Sequence, residues 1–207
     1  MTGFPDPVVV SAGSADPAAP LVVLLHGRGS NEGDIIGLAS HLPEGPAYAA
    51  VRAPIGEGGG FAWFANRGIG RPVAESLRET MDWFRTWLDA EAAGRRVVLV
   101  GFSGGAAFAG GLLLDDPARW DGVAVLFGTL PFDAGVPVTD NHLAGAHVLA
   151  IQGDADTVIP RELLDRTWAY VTGPSAATAT THRSTGGHGI DAGSLDVLRS
   201  WIASVTA

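Results

Sequence analysis

The sequence predicts an α/β protein with a mostly parallel central sheet and helices on both of its faces. Short apolar runs rich in β-branched residues recur along the 207-residue chain, and longer segments with helical periodicity separate them. Strands that alternate with helices pair in parallel, because each helix returns the chain to the same end of the sheet. Neither an internal repeat nor an interdomain linker interrupts the pattern, so we expect a single domain over residues 1–207.

The predicted strands are mostly continuous apolar runs, which are typical of strands buried on both faces. A further segment near the end of the chain alternates between small and polar residues, as a half-exposed strand does. The predicted strands are residues 21–26, 47–53, 96–102, 122–127, 146–152 and 176–183.

The predicted helices lie between these strands. In the clearest one a proline lies near the start, Gly94 lies just past the end, and Leu77, Met81, Phe84 and Leu88 form one apolar stripe. Residues 57–60 are expected to open a loop, and residues 128–140 are expected to form a long loop within the domain. The predicted helices are residues 31–41, 72–93, 104–114, 160–171 and 195–205.

The composition excludes several functional classes. All 13 basic residues are Arg, so a P-loop lysine, a Schiff-base lysine and a Ser–Lys dyad are impossible, and the absence of Cys excludes thiolate chemistry. The net charge of -9 argues against a nucleic-acid partner. Neither a signal peptide nor a run of ~20 apolar residues is present, so we expect a cytoplasmic protein without stable membrane insertion. We expect no metal and no cofactor, and either a monomer or a homodimer.

A candidate nucleophile lies where a predicted strand meets a predicted helix. Residues 101–105 have the sequence GFSGG, which matches the pattern G-x-S-x-G with Ser103 at its centre. The pattern places serine on a tight turn, and the flanking glycines remove side chains that would clash with the strand and the helix. The alternative is a glycine-rich turn with an incidental serine. The position after a central strand favours the nucleophile.

The base and the acid follow from the order of residues in the chain. Where this motif supplies the nucleophile, an acid and then a histidine come after it. Of the six histidines, only His188 lies in a glycine-rich loop between the last strand and the last helix. The acid should follow the strand at 146–152, where Asp154 and Asp156 are both candidates. We prefer Asp156, which lies deeper in the loop, and expect Asp154 to cap the turn.

The oxyanion donors are expected to be two backbone N–H groups. Gly104 follows the nucleophile and begins a helix, whose N-terminus has free N–H groups. The second donor should be Arg28, between two glycines in the loop after an early strand, where His26 is expected to hold the loop through local bonds. A dinucleotide-binding loop is the alternative for this segment, but its glycine spacing does not match G-x-G-x-x-G.

Together, these segments resemble the phospholipase/carboxylesterase family of α/β hydrolases, which includes acyl-protein thioesterases. The matching segments span residues 21–190 and are LLHGRGSNEGD, RAPIGEGGGFAWF, GFSGG, GDADTVIP and GGHGI. The resemblance implies an α/β-hydrolase fold without a large cap domain and a cofactor-free esterase. It also supports Asp156 as the acid and the backbone of Arg28 as an oxyanion donor.

The chain departs from the family pattern at two positions. Many members have Gln where this chain has Gly104, and many have an apolar residue at the position of Arg28. The family's preference for long acyl chains is therefore not carried over to this sequence.

The leading functional hypothesis is a serine hydrolase that cleaves small carboxylic esters through an acyl-enzyme on Ser103. A thioesterase or lysophospholipase would use the same triad, and a non-catalytic scaffold for ligand or partner binding is a further alternative. Phe61, Trp63 and Phe64 either line the substrate pocket or pack in the core. Arg28 and Arg67 either bind an anionic substrate group or are solvated surface charges.

Overall fold

The computed structural model describes residues 3–207, which form one large sheet, two small hairpins and five α-helices. The strands are β1 Val9–Gly13, β2 Leu21–Leu25, β3 Ala47–Val51, β4 Ile55–Glu57, β5 Gly60–Ala62, β6 Asn66–Gly68, β7 Arg71–Pro72, β8 Val97–Phe102, β9 Gly122–Leu126, β10 His147–Gly153 and β11 Thr178–Ser184. The helices are α1 Glu32–Ile35, α2 Ala74–Glu91, α3 Gly104–Asp115, α4 Arg161–Thr172 and α5 Ala192–Thr206.

The large sheet has seven strands in the order β1-β3-β2-β8-β9-β10-β11. Every neighbouring pair is parallel except β1 and β3, so the prediction of a mostly parallel sheet is confirmed. The carboxyl ends of β8, β10 and β11 therefore lie at the same edge. Loops that follow these strands can bring distant residues together there.

Each face of the sheet has its own layer of helices and its own apolar core. One core joins alternate residues of the central strands, such as Val23, Leu99 and Val125, to α2, α3 and α4. The other core joins the intervening strand residues to α1, to the residues that follow α1, and to α5. Helix α5 contributes side chains such as Trp201 and Ile202. The prediction of helices on both faces of the sheet is confirmed, and residues 3–207 contain no large cap domain.

Several elements differ from the sequence-based predictions. The segment predicted as one helix over 31–41 is a single α-helical turn, α1, followed by a 3₁₀ helix at Ile36–His41. Strand β1 is not among the predicted strands. Residues 57–60, predicted to open a loop, instead form the turn of the antiparallel hairpin β4–β5 and the strand residues beside it, with Gly58 and Gly59 at positive φ. A second hairpin, β6–β7, follows it.

The described part of the chain contains neither a candidate membrane span nor a candidate metal cluster. No helix within residues 3–207 combines the length and the apolar character needed to cross a membrane. Over the same residues, no three His, Asp or Glu side chains are grouped in a way that would hold a metal ion.

Candidate active site

Ser103 lies on a strained turn between β8 and α3. Its φ of 55° and ψ of −112° are a backbone conformation that residues with a side chain rarely adopt. The turn is possible because glycines lie two residues before and two residues after the serine. A Cβ on Gly101 would lie 2.2 Å from the carbonyl oxygen of Gly105, and a Cβ on Gly105 would lie 2.1 Å from the carbonyl oxygen of Leu25. The tight packing fixes the position of the serine at the carboxyl end of β8.

The structure brings the three predicted side chains into one hydrogen-bonded chain. The Nε2 atom of His188 lies 2.9 Å from the hydroxyl oxygen of Ser103, and its Nδ1 atom lies 2.8 Å from Oδ2 of Asp156. A carboxylate only accepts hydrogen bonds, so Nδ1 of His188 carries the ring proton and donates a hydrogen bond to Asp156. In the neutral ring Nε2 is then unprotonated, and it can accept the proton of the Ser103 hydroxyl.

The side chain of Asp156 is fully buried and is held from both sides. Its second oxygen, Oδ1, accepts hydrogen bonds from the backbone N–H groups of Val158 (2.8 Å) and Ile159 (3.1 Å). The prediction that Asp154 caps this turn is wrong, because Asp156 itself caps it. Asp154 points outward, with 51% of its side chain exposed, and pairs with Arg183 at 3.4 Å.

The two predicted oxyanion donors lie side by side next to Ser103. A Cβ built on Gly104 would lie 3.1 Å from the backbone nitrogen of Arg28, so the two loops are in close contact. Within residues 3–207, neither the N–H of Arg28 nor that of Gly104 donates to another protein group. Both N–H groups are therefore available to a ligand oxygen, which would also benefit from the positive end of α3.

His26 supports the loop that contains Arg28. Its Nδ1 lies 2.7 Å from the carbonyl oxygen of Gly27, and its Nε2 accepts a hydrogen bond of 3.1 Å from the N–H of Ala53. Burial lowers the pKa of the His26 ring, so the ring stays neutral and keeps both bonds. His26 thus holds its own loop, as the sequence predicts, and also joins that loop to the segment after β3. The indole of Trp63 donates to the His26 carbonyl at 2.8 Å and adds to the same support.

A cavity of about 620 Å³ opens beside Ser103 and His188. Trp63 and Phe64 contribute to its wall and are also almost fully buried in the core. Phe61 does not line this cavity and lies instead under the guanidinium group of Arg52, with 4.7 Å between the group and the ring centre. The structure therefore gives no support to Phe61 as a substrate-binding residue.

The arginines considered for anion binding are not available in the cavity. Arg67 is not among the residues that line it. Arg28 lines it, but its Nε donates to Oε1 of Glu57 at 2.8 Å, and a second nitrogen pairs with the other oxygen of the same carboxylate. The charge of Arg28 is thus neutralised by its neighbour.

Several cavity residues are not among those predicted from the sequence. They are apolar side chains from four separate segments of the chain, and only the folded structure brings them to the same wall: Ile35, Leu38, Ile69, Val158, Ile159 and Ile190. Two of these, Ile69 and Val158, are 54% and 44% exposed, so they lie at the mouth of the cavity. No local sequence pattern distinguishes them from other surface residues.

The loop that holds His188 is anchored by Asp191, a residue that could have been identified from the sequence. Asp191 is the N-cap of α5, where its Oδ1 accepts from the N–H of Ser194 at 2.8 Å, and its Oδ2 accepts from the Ser184 hydroxyl. These hydrogen bonds, first that from Ser184, lower the pKa of Asp191 to about 2. An aspartate just before a helical segment is the usual sign of such a cap.

The fold and the geometry of this site define an α/β hydrolase. The chain matches the Phospholipase/Carboxylesterase family over residues 5–206 and belongs to that family. Membership of this family supports a serine hydrolase of the esterase type and leaves the substrate open.

Known proteins of similar sequence and structure agree with this family. A putative hydrolase, MhqD, of Bacillus subtilis is 26% identical over 186 residues, covering 87% of this chain and 91% of its own. A carboxylesterase from Bacillus cereus superposes with a TM-score of 0.83 at 24% identity, covering 95% of this chain and 93% of that one. A carboxylesterase from Mesorhizobium loti has a TM-score of 0.79 at 26% identity, covering 89% and 88% of the two chains.

Proposed function

We propose that this protein hydrolyses carboxylic esters through an acyl-enzyme intermediate on Ser103. The observation that carries the proposal is the hydrogen-bonded chain from Ser103 through His188 to the buried carboxylate of Asp156. A serine hydroxyl becomes a good nucleophile only when a base takes its proton, and this chain supplies a base in the required tautomer. A non-catalytic scaffold would have no need of such an arrangement beside a cavity.

In the proposed mechanism, His188 accepts the proton of Ser103 as the serine oxygen attacks the ester carbonyl carbon. The carbonyl oxygen becomes negatively charged and accepts hydrogen bonds from the N–H groups of Arg28 and Gly104. His188 then donates its proton to the leaving alcohol oxygen, and the acyl group remains on the serine. Water then attacks the acyl-enzyme as His188 takes one of its protons. His188 returns this proton to the Ser103 oxygen as the acyl–serine bond breaks, which releases the carboxylic acid and restores the serine hydroxyl.

The cavity favours esters whose groups are uncharged and largely apolar. Its walls are mostly aliphatic and aromatic, and the arginine among its described lining residues, Arg28, is paired with Glu57. The carboxylate of Asp34 lies on the same wall, where it would repel an anionic group. A lysophospholipid carries a phosphate, so these charges argue against the lysophospholipase alternative. The same charges do not argue against a thioester with an uncharged acyl group, so thioesters are included in the test.

The test measures hydrolysis of short p-nitrophenyl esters and of matching thioesters, together with labelling by a fluorophosphonate probe. Replacing the nucleophile in Ser103→Ala should lower kcat by ~10⁶ and abolish labelling. Ser40→Ala is the matched control, because the exposed Ser40 hydroxyl donates only to the carbonyl of Gly37 within the 3₁₀ helix. A wild-type protein that neither hydrolyses the esters nor takes up the probe would refute the proposal and favour the scaffold hypothesis.

A further inference from the structure

The side chain of Arg28 is held in place by a residue outside the proposed catalytic group. We propose that Glu57, through Arg28, is a positioning residue that fixes the N–H of Arg28 in the oxyanion site. This inference rests on the proposed function, because it concerns how the same site stabilises negative charge. It assigns a role to the hairpin β4–β5, since Glu57 is the last residue of β4.

The guanidinium group of Arg28 makes three directed contacts. Its Nε and one terminal nitrogen pair with the two oxygens of Glu57, and the other terminal nitrogen donates to the backbone carbonyl of Phe64 at 3.1 Å. A two-pronged contact between arginine and a carboxylate fixes direction as well as distance. All three contacts of the Arg28 side chain are therefore with protein groups. The backbone nitrogen of the same residue lies close to Gly104, and its N–H donates to no described protein group.

The backbone of the loop is joined to the same hairpin. The N–H of Gly29 donates to the carbonyl of Phe61 at 2.9 Å, and the N–H of Phe61 donates to the carbonyl of Ser30 at 3.0 Å. A Cβ on Gly60 would lie 1.9 Å from the carbonyl oxygen of Gly29, so the two backbones are in direct contact. The ion pair with Glu57 and these backbone bonds together restrain the peptide that carries the Arg28 N–H.

The consequence for the reaction concerns the transition state. Charge on the carbonyl oxygen develops only as the serine attacks, so a misplaced N–H donor affects the transition state more than substrate binding. Loss of a whole donor typically costs ~10²–10³ in rate. Loosening one donor without removing it should cost less, roughly tenfold, because the rate depends on sub-ångström positioning.

The experiment compares Glu57→Gln and Arg28→Met with the wild-type enzyme on a neutral p-nitrophenyl ester. We expect kcat/KM to fall roughly tenfold in each variant, and the Ki of a boronic acid transition-state analogue to rise by the same factor. The Ki of the product alcohol, which does not use the oxyanion site, should stay within about twofold of the wild-type value. The kcat/KM of the double variant should be no lower than that of either single variant, because both substitutions remove the same contact.

The matched control is Asp115→Asn. Asp115 pairs with Arg85 at 2.5 Å, neither residue lines the cavity, and the Asp115 side chain is 43% exposed, against 42% for Glu57. We expect this control to keep wild-type kcat/KM. Normal activity and normal boronic acid affinity in Glu57→Gln would refute the positioning role while leaving the proposed function intact. A change in product affinity alone would also refute it, since Arg28 would then contact the bound molecule directly.

Amide hydrogen exchange tests the same inference without any turnover. The N–H groups of Gly29 and Phe61 are bonded across the contact between loop and hairpin, so they should exchange faster in Glu57→Gln than in the wild-type protein. Amides of α5 should be unchanged in the same sample. Unchanged exchange at Gly29 and Phe61 would refute the positioning role even if the wild-type protein proved to have no esterase activity.

Discussion

At the scale of single residues, the carboxylate of Asp156 has two separate tasks. One oxygen accepts a hydrogen bond from Nδ1 of His188, and the other accepts hydrogen bonds from the backbone N–H groups of Val158 and Ile159. Each oxygen faces donors, so the group has to be an acceptor on both sides. Asp154, two residues earlier, lies outside this arrangement on the surface.

Asp156→Asn should lower kcat by roughly 10⁴, as loss of the correct imidazole tautomer does in serine hydrolases. An amide has one donor and one acceptor side. If its NH₂ faces His188, the ring takes the wrong tautomer, and if it faces Val158, it meets backbone N–H groups instead. The measurement is kcat on a p-nitrophenyl ester, with Asp154→Asn as the control, which should stay within about threefold of wild type. Equal losses in the two variants would contradict the assignment of the acid.

At the scale of elements, the position of Ser103 depends on how closely α3 approaches the sheet. The first turn of α3 lies directly against the end of β2, where Gly105 faces the carbonyl groups of Leu25 and His26. A helix normally stands farther from a strand because side chains separate them. The glycine at position 105 removes that separation and places the start of the helix next to the oxyanion loop.

Gly105→Ala should therefore destabilise the protein by about 3 kcal/mol or more, although alanine has the higher helix propensity. The added Cβ would lie 2.1 Å from one carbonyl oxygen and 2.7 Å from the next, so the helix must move. Gly37→Ala is the control, because a Cβ there meets no atom within 4 Å, and it should change stability by less than about 1 kcal/mol. Urea unfolding measures the free energy of unfolding of both variants. Similar stabilities would show that the helix can shift freely.

Elements with strong internal patterns were predictable from the sequence, and those that depend on a distant partner were not. Strands β8 and β9 are apolar almost throughout, and the predicted strands match each end of both to within one residue. Strand β1 is partly exposed and forms only by pairing with β3, more than thirty residues away along the chain, so its own residues give little signal. The short hairpins β4–β5 and β6–β7 depend in the same way on contacts with neighbouring loops.

In the candidate site, too, some residues could be predicted from the sequence and others could not. Ser103, Asp156 and His188 could be predicted because each follows a strand, and parallel strands end at one edge of the sheet. Their catalytic roles stay predictions until they are tested. The contact between Arg28 and Glu57 could not be predicted, because it joins residues 29 positions apart through the fold of a hairpin that the sequence did not reveal.

At the scale of the whole molecule, we expect charge to limit which substrates approach the cavity. The chain has 22 acidic and 13 basic residues, for a net charge of -9. The charged groups of the cavity are also negative on balance. Asp34 lines its wall, and the charge of Arg28 is neutralised by Glu57. We therefore expect an anionic ester to be repelled both at a distance and in the cavity, and the distant part of the repulsion should be screened by salt.

At low ionic strength, a p-nitrophenyl ester with a free carboxylate should have a kcat/KM roughly tenfold below that of the neutral ester of equal chain length. The ratio should shrink as salt rises from about 0.01 M to 0.5 M, because the Debye length falls from about 30 Å to a few ångströms. The neutral ester in the same salt series is the control, and its kcat/KM should change little. Asp34→Asn should bring the kcat/KM values of the two esters closer together at low salt. If the anionic ester is instead the better substrate at low salt and loses that advantage as salt is added, Arg28 binds anions in spite of Glu57, and the proposed preference for uncharged esters is wrong.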